Sequence, residues 1–196
     1  MSSLVERVRI QIQDPSLTAS INAFTPRRLG LFPPTTMMVV EAAEKTLGFS
    51  LPPLLRDLYT QVANGGFGPG YGIFGLDGGY ADPQIFDPNI LSQTQGGTLT
   101  EWYFTYRGKD DKLPELGFEF NSKDKSNLYI DPEPKPVTWN WFDKLVPISN
   151  HGDWQVSCID CSKSMFPILL FDGQQSQLRP KNLTFSEWIE DWLNSI

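Results

Sequence analysis

The chain's 196 residues carry 23 acidic against 16 basic side chains, and a net charge of −7 weighs against nucleic acid as a direct partner, because phosphate binding needs a basic surface. Forty per cent of the residues are apolar, among them thirteen Phe, six Trp and six Tyr, which is enough to build a real core in one domain. No apolar run approaches the roughly 18 residues of a membrane span, residues 1–7 do not read as a signal peptide, and two cysteines three positions apart make no disulfide framework, so a cytoplasmic protein is expected.

In chain order, residues 4–12 predict a short amphipathic helix with Val5, Val8 and Ile12 on one side. A poorly patterned connector over 16–34 follows. Thr35 or Thr36 then caps a helix that runs to Leu47, with Gly48 past its end. Residues 51–63 form the clearest unit of the chain. Pro52 and Pro53 suit a first helical turn, where a missing N–H costs nothing. Leu55, Leu58, Tyr59 and Val62 recur at i, i+3, i+4 and i+7, and Asn64-Gly65-Gly66 stops the helix, since Asn and Gly tolerate the left-handed conformation.

Residues 71–76 read as a strand leaving the glycine loop, and Asp77-Gly78-Gly79 as a turn. Leu99, Trp102, Tyr103 and Tyr106 show helical spacing, with Arg107 in the last turn and Gly108 as the stop. Residues 109–140 change in texture, mixing lysines, acids and a proline ladder; within them 117–120 and 127–130 can pair as a small hairpin, and otherwise the stretch is an irregular excursion. A three-strand meander is expected over 145–149, 154–160 and 168–171, ended by Asp172-Gly173. The last helix has the best local signature: Thr184 and Glu187 form a capping box, Leu183 can staple onto Trp188, and Phe185, Trp188, Ile189 and Trp192 make the buried face.

Three constellations suggest chemistry. Gly70-Tyr71-Gly72-Ile73-Phe74-Gly75 matches the G-x-G-x-x-G of dinucleotide-binding loops, which need a strand before the glycines and a helix after them. Here the order is inverted, so turn and close-packing glycines are the better account. Cys158 and Cys161 sit at a strand end rather than at a helix N-terminus, and an offset of three sends them to opposite faces. Only His151 and Asp153 stand nearby to complete a zinc site, so packing cysteines and no metal are expected. His151 can be drawn with either cysteine as a nucleophilic pair, but the turn composition of Asn150, Gly152 and Asp153 explains the segment without chemistry. No cofactor motif and no catalytic set stands out, and the protein is not expected to be an enzyme.

The helix opening at Leu51-Pro52 and closing at Asn64-Gly65-Gly66, with Gly75-Leu76 beyond it, resembles the SUKH superfamily, which groups bacterial toxin-immunity proteins with fungal Smi-Knr-type regulators of cell-wall synthesis. Later pieces are similar in order: Trp139 and Trp141 before Leu145-Val146-Pro147-Ile148, Gly152, Ile159-Asp160, the stretch 167–172, and Phe185-Ser186-Glu187-Trp188-Ile189. The resemblance divides the chain into an N-terminal extension over 1–33 and a SUKH-like domain over 34–196, with an excursion at about 109–140. It implies an α+β fold, a central and largely antiparallel sheet flanked by helices, used as a protein-binding module.

Charge then suggests a surface. Between Arg56 and Arg107 there is no Lys or Arg, while Asp57, Asp77, Asp82, Asp87 and Glu101 fall inside the interval. Asp77, Asp82 and Asp87 are the candidate partner-binding residues, facing a basic protein such as a toxin domain, with no direct nucleic acid and no membrane. The plain alternative is a solvated acidic surface with no partner. Three functional classes follow: an immunity protein that neutralises a toxin of a bacterial polymorphic toxin system, a regulatory or scaffold protein unconnected to toxins, and an enzyme with no recognisable motif.

Overall fold

The computed structural model describes residues 2–14, 32–81, 97–107, 118–120, 128–130, 141–175 and 177–195. Helix α1 (Leu4–Ile12) is capped by Ser3, whose Oγ accepts from Glu6 N–H at 3.3 Å. Its Val8 is fully buried, and the helix packs on the helices Pro53–Gln61 and Phe185–Asn194. Arg9 Nε donates to the carbonyl of Gln61 (3.2 Å), and Arg7 approaches Glu190 at 3.6 Å.

Helix α2 (Met37–Leu47) buries Val40, Ala43 and Leu47 and ends at Gly48, which adopts a left-handed φ of 82°. Helix α3 (Pro53–Gln61) is shorter than the expected span, with Pro52 in the cap position, and it buries Leu55, Leu58 and Tyr59 on one stripe. Glu44 accepts from Leu51 N–H at 2.7 Å, tying α2 to the entry of α3. Helix α4 (Leu99–Arg107) presents Leu99, Tyr103 and Tyr106 inward. Thr98 and Glu101 cap each other reciprocally at its start.

The strands β1 (Phe118–Phe120) and β2 (Leu128–Ile130) pair as the expected hairpin. The central sheet comprises β3 (Leu145–Gly152), β4 (Gln155–Asp160), β5 (Pro167–Asp172) and β6 (Gln177–Thr184), antiparallel throughout and in sequence order. The expected three-strand meander is therefore corrected to four strands. In β6, Arg179, Pro180, Lys181 and Asn182 are exposed, so it lacks the alternation that marks a strand; Pro suits such an edge position, where its missing N–H need not pair. Asp153 and Trp154, both at positive φ, form the two-residue turn between β3 and β4.

Helix α5 (Phe185–Asn194) starts with the full capping box of Thr184 and Glu187, and those hydrogen bonds from Thr184 hold the Glu187 carboxyl below its usual range. Phe185, Trp188 and Ile189 are buried as expected, whereas Trp192 is only half-buried. One face of the sheet is covered by α4 and Trp141: Tyr106 and Trp141 both meet Phe171 edge-on, with centroids 5.7 and 5.5 Å away. The result is an α+β fold around one antiparallel sheet. Among the described residues no helix is long and apolar enough to cross a membrane.

Candidate functional site: the glycine loop and its acidic turn

Asn64 organises the loop that follows α3. Its side-chain Oδ1 accepts from Leu76 N–H (2.8 Å) and its Nδ2 donates to the carbonyl of Asp77 (3.1 Å). Its own carbonyl accepts from Tyr80 N–H at 2.9 Å. One side chain thus closes both ends of a loop more than ten residues long, and it is almost fully buried while doing so. Satisfying several buried backbone groups at once is what makes such a loop rigid. Helix-stop chemistry explains Asn64 only in part, and its role as the loop's clasp goes beyond what the sequence predicts. The available signal is a lone amide between an apolar helix and a glycine run.

Several further loop amides are used within the loop. Gly66 N–H donates to Ile73 O (2.9 Å), Ile73 N–H to Phe67 O (2.6 Å), and Gly75 N–H to Tyr80 O (2.6 Å). Tyr59 Oη reaches the carbonyl of Phe74 at 2.5 Å from inside the core, where burial raises the phenol pKa. Gly65 is required for a stated reason: its φ is 84°, and a Cβ there would lie 2.6 Å from Gly75 N. The amides of residues 71–75 are therefore committed to the fold, and Gly75 leads into the Asp77 turn rather than into a helix.

The expected strand over 71–76 is corrected. Tyr71 and Phe74 donate to Asn150 O (2.7 Å) and Ile148 O (2.8 Å), but only Ile73 forms a bridge, to Ser149. Gly72 at φ 104° interrupts the extended backbone that a ladder needs. The segment docks along the edge of β3 without becoming a fifth strand.

Asp77 is exposed at the tip of the turn, on backbone pinned by Asn64. Asp82 and Asp87 lie outside the described residues. The structure therefore places one of the three candidate carboxylates on a rigid surface.

Among the described residues, His151 is hydrogen-bonded to a serine rather than to either cysteine. His151 Nε2 lies 2.7 Å from Ser157 Oγ. Burial, with Lys181 nearby, lowers the His151 pKa to about 4, so the ring is neutral at pH 7. Cys158 is fully buried in the core, and burial pushes its thiol pKa up. Cys161 lies in the turn beyond β4 rather than on the strand's opposite face, and its thiol is pushed up to about 12 by burial and by Asp160. Both cysteines are free thiols. Among the described residues, no group of three His, Cys, Asp or Glu side chains is placed to hold a metal ion.

Fold and loop together define an α+β domain in which a helix and its glycine loop brace one edge of a four-stranded meander. A model of the SMI1/KNR4 family (SUKH-1) matches residues 34–191, and the chain belongs to that family. No curated protein matches the chain. Helix α1 falls outside the matched stretch, yet its Val8 is part of the core.

Proposed function

We propose that the protein is a non-enzymatic protein-binding module of the cytoplasm, an immunity protein that binds and neutralises a toxin partner of a bacterial polymorphic toxin system. The observation that carries this reading is the exposed Asp77 on a loop locked by Asn64, in a chain with a net charge of −7 that belongs to the SUKH-1 family. A rigid carboxylate loses little freedom on binding, and a surplus of negative charge speeds encounter with a basic partner. The alternative, a regulator unconnected to toxins, uses the same surface and differs only in the partner.

The test is association with a toxin domain encoded beside this protein. The association rate should fall several-fold between low and physiological salt, and Asp77→Lys should slow it further without changing the melting temperature. Co-expression should rescue cells from that toxin. Failure to bind or to rescue, with a non-toxin protein recovered from the source organism instead, would move the assignment to the regulatory class.

A further inference from the structure

Among the described residues, Tyr106 and Trp141 cover one end of the sheet face that carries Phe171. Towards the other end a trough of about 310 Å³ opens between β5, β6 and the start of α5. Its apolar lining includes the half-buried Leu169 and Leu183 and the exposed Pro180. The register explains why it is open. Leu169 pairs with Pro180 and Pro167 with Thr184, so a short step along β5 is matched by a longer one along β6, and Asn182 turns to φ 56° in the resulting bulge. Such a bulge bends the strand away from its partner and leaves the apolar floor uncovered by the described residues.

The charged groups of the lining are Asp160, Glu187 and Lys163, two carboxylates to one ammonium. Asp160 and Leu169 are shared with a smaller hollow to which Asp143 adds a further carboxylate. Asp160 spends Oδ1 on Ser162 N–H (2.9 Å), and Glu187 spends Oε2 on its cap, which leaves each carboxylate a second oxygen. An apolar floor with carboxylates at its margins complements leucine-type side chains flanked by cations.

We propose that this trough is a docking site for a polypeptide segment in which apolar side chains are flanked by lysine or arginine. The proposal rests on the protein-binding reading above and adds a second contact surface to Asp77. The bulged β6, the turn after Asp160 and the first turn of α5 all contribute to it, so the segment lies across the strand ends rather than adding to the sheet edge.

The test uses the full chain, isotope-labelled for NMR, and two capped hexapeptides: two central leucines flanked by lysines, and the same peptide with glutamates for the lysines. The lysine peptide should shift the amides of Leu169, Leu183, Thr184 and Glu187 saturably, and the glutamate peptide should bind several-fold more weakly. Asp160→Asn, which keeps an acceptor for Ser162, should weaken the lysine peptide by up to about fivefold, the range of one exposed ion pair. Leu169→Thr should abolish binding while the remaining spectrum stays native. No saturable shift, equal binding of both peptides, or shifts centred on Asp77 would overturn the proposal. The last of these would leave the protein-binding reading intact. Shifts at the trough that follow protein concentration without peptide would assign it to a second copy of the chain and overturn the proposal equally.

Discussion

His151 Nε2 and Ser157 Oγ stand 2.7 Å apart across the first hairpin of the sheet, a half-buried imidazole held neutral by its surroundings. The ring's pKa falls from 6.5 unfolded to about 4 folded, so the unfolded chain takes up this proton first as pH drops. The stabilisation is complete above about pH 6.5 and is lost progressively towards pH 4. The shift corresponds to about 3 kcal/mol. Urea midpoints measured from pH 7 to pH 4 should fall more steeply for the wild type than for His151→Gln. Parallel slopes for the two proteins would show that His151 does not carry the effect.

Asn64→Ala should cost about 2–4 kcal/mol, because it strands a buried Leu76 N–H and removes the donor to the Asp77 carbonyl. Asn64→Asp keeps the acceptor but buries a charge and sets a second carboxylate oxygen against the Asp77 carbonyl, so it should lose at least as much. Chemical denaturation checks both, and either variant within about 1 kcal/mol of the wild type would contradict the role given to Asn64.

Two glycines with nearly the same φ should respond very differently to alanine. A Cβ at Gly48 would meet no heavy atom within 4 Å, so only the left-handed backbone opposes Gly48→Ala, at about 1 kcal/mol. Gly65→Ala adds backbone collision with Gly75 and should cost at least about 3 kcal/mol or prevent folding. Expression and melting temperature of the pair decide it.

Trp188 is 6% exposed and anchors α5, so Trp188→Ala should cost about 3–5 kcal/mol. A melting temperature within a degree or two of the wild type would mean that α5 is not docked as described.

The thiols should be inert in the folded protein. Cys158 is fully buried and Cys161 is held protonated up to about pH 12. Ellman's reagent at pH 8 should titrate both only after denaturant is added, and elemental analysis should find no stoichiometric zinc. Rapid labelling of either cysteine in native buffer would refute this.

Helices are legible where local chemistry decides them. Thr184 and Glu187 announce α5, and the prolines with the Leu55, Leu58 and Tyr59 stripe announce α3. The sheet is less legible at its margins. Strand β6 exists because β5 lends it a ladder, not because Arg179, Pro180 and Lys181 favour extended structure. Residues 71–76 look like a strand from Tyr71, Ile73 and Phe74, yet Gly72 breaks the run. Asp77 is readable from charge alone. The trough is not, because it is made by a bulge whose register depends on which residues of β5 and β6 meet.

The contact between Arg7 on the first helix and Glu190 on the last brings the two flanks of the described chain side by side. The first and last described helices are therefore neighbours in space and support each other directly, with the whole sheet between their places in the sequence. For an immobilised sensor the same adjacency has a practical use. A tether attached at either flank leaves from one corner of the molecule and keeps the rest of the surface free for a partner.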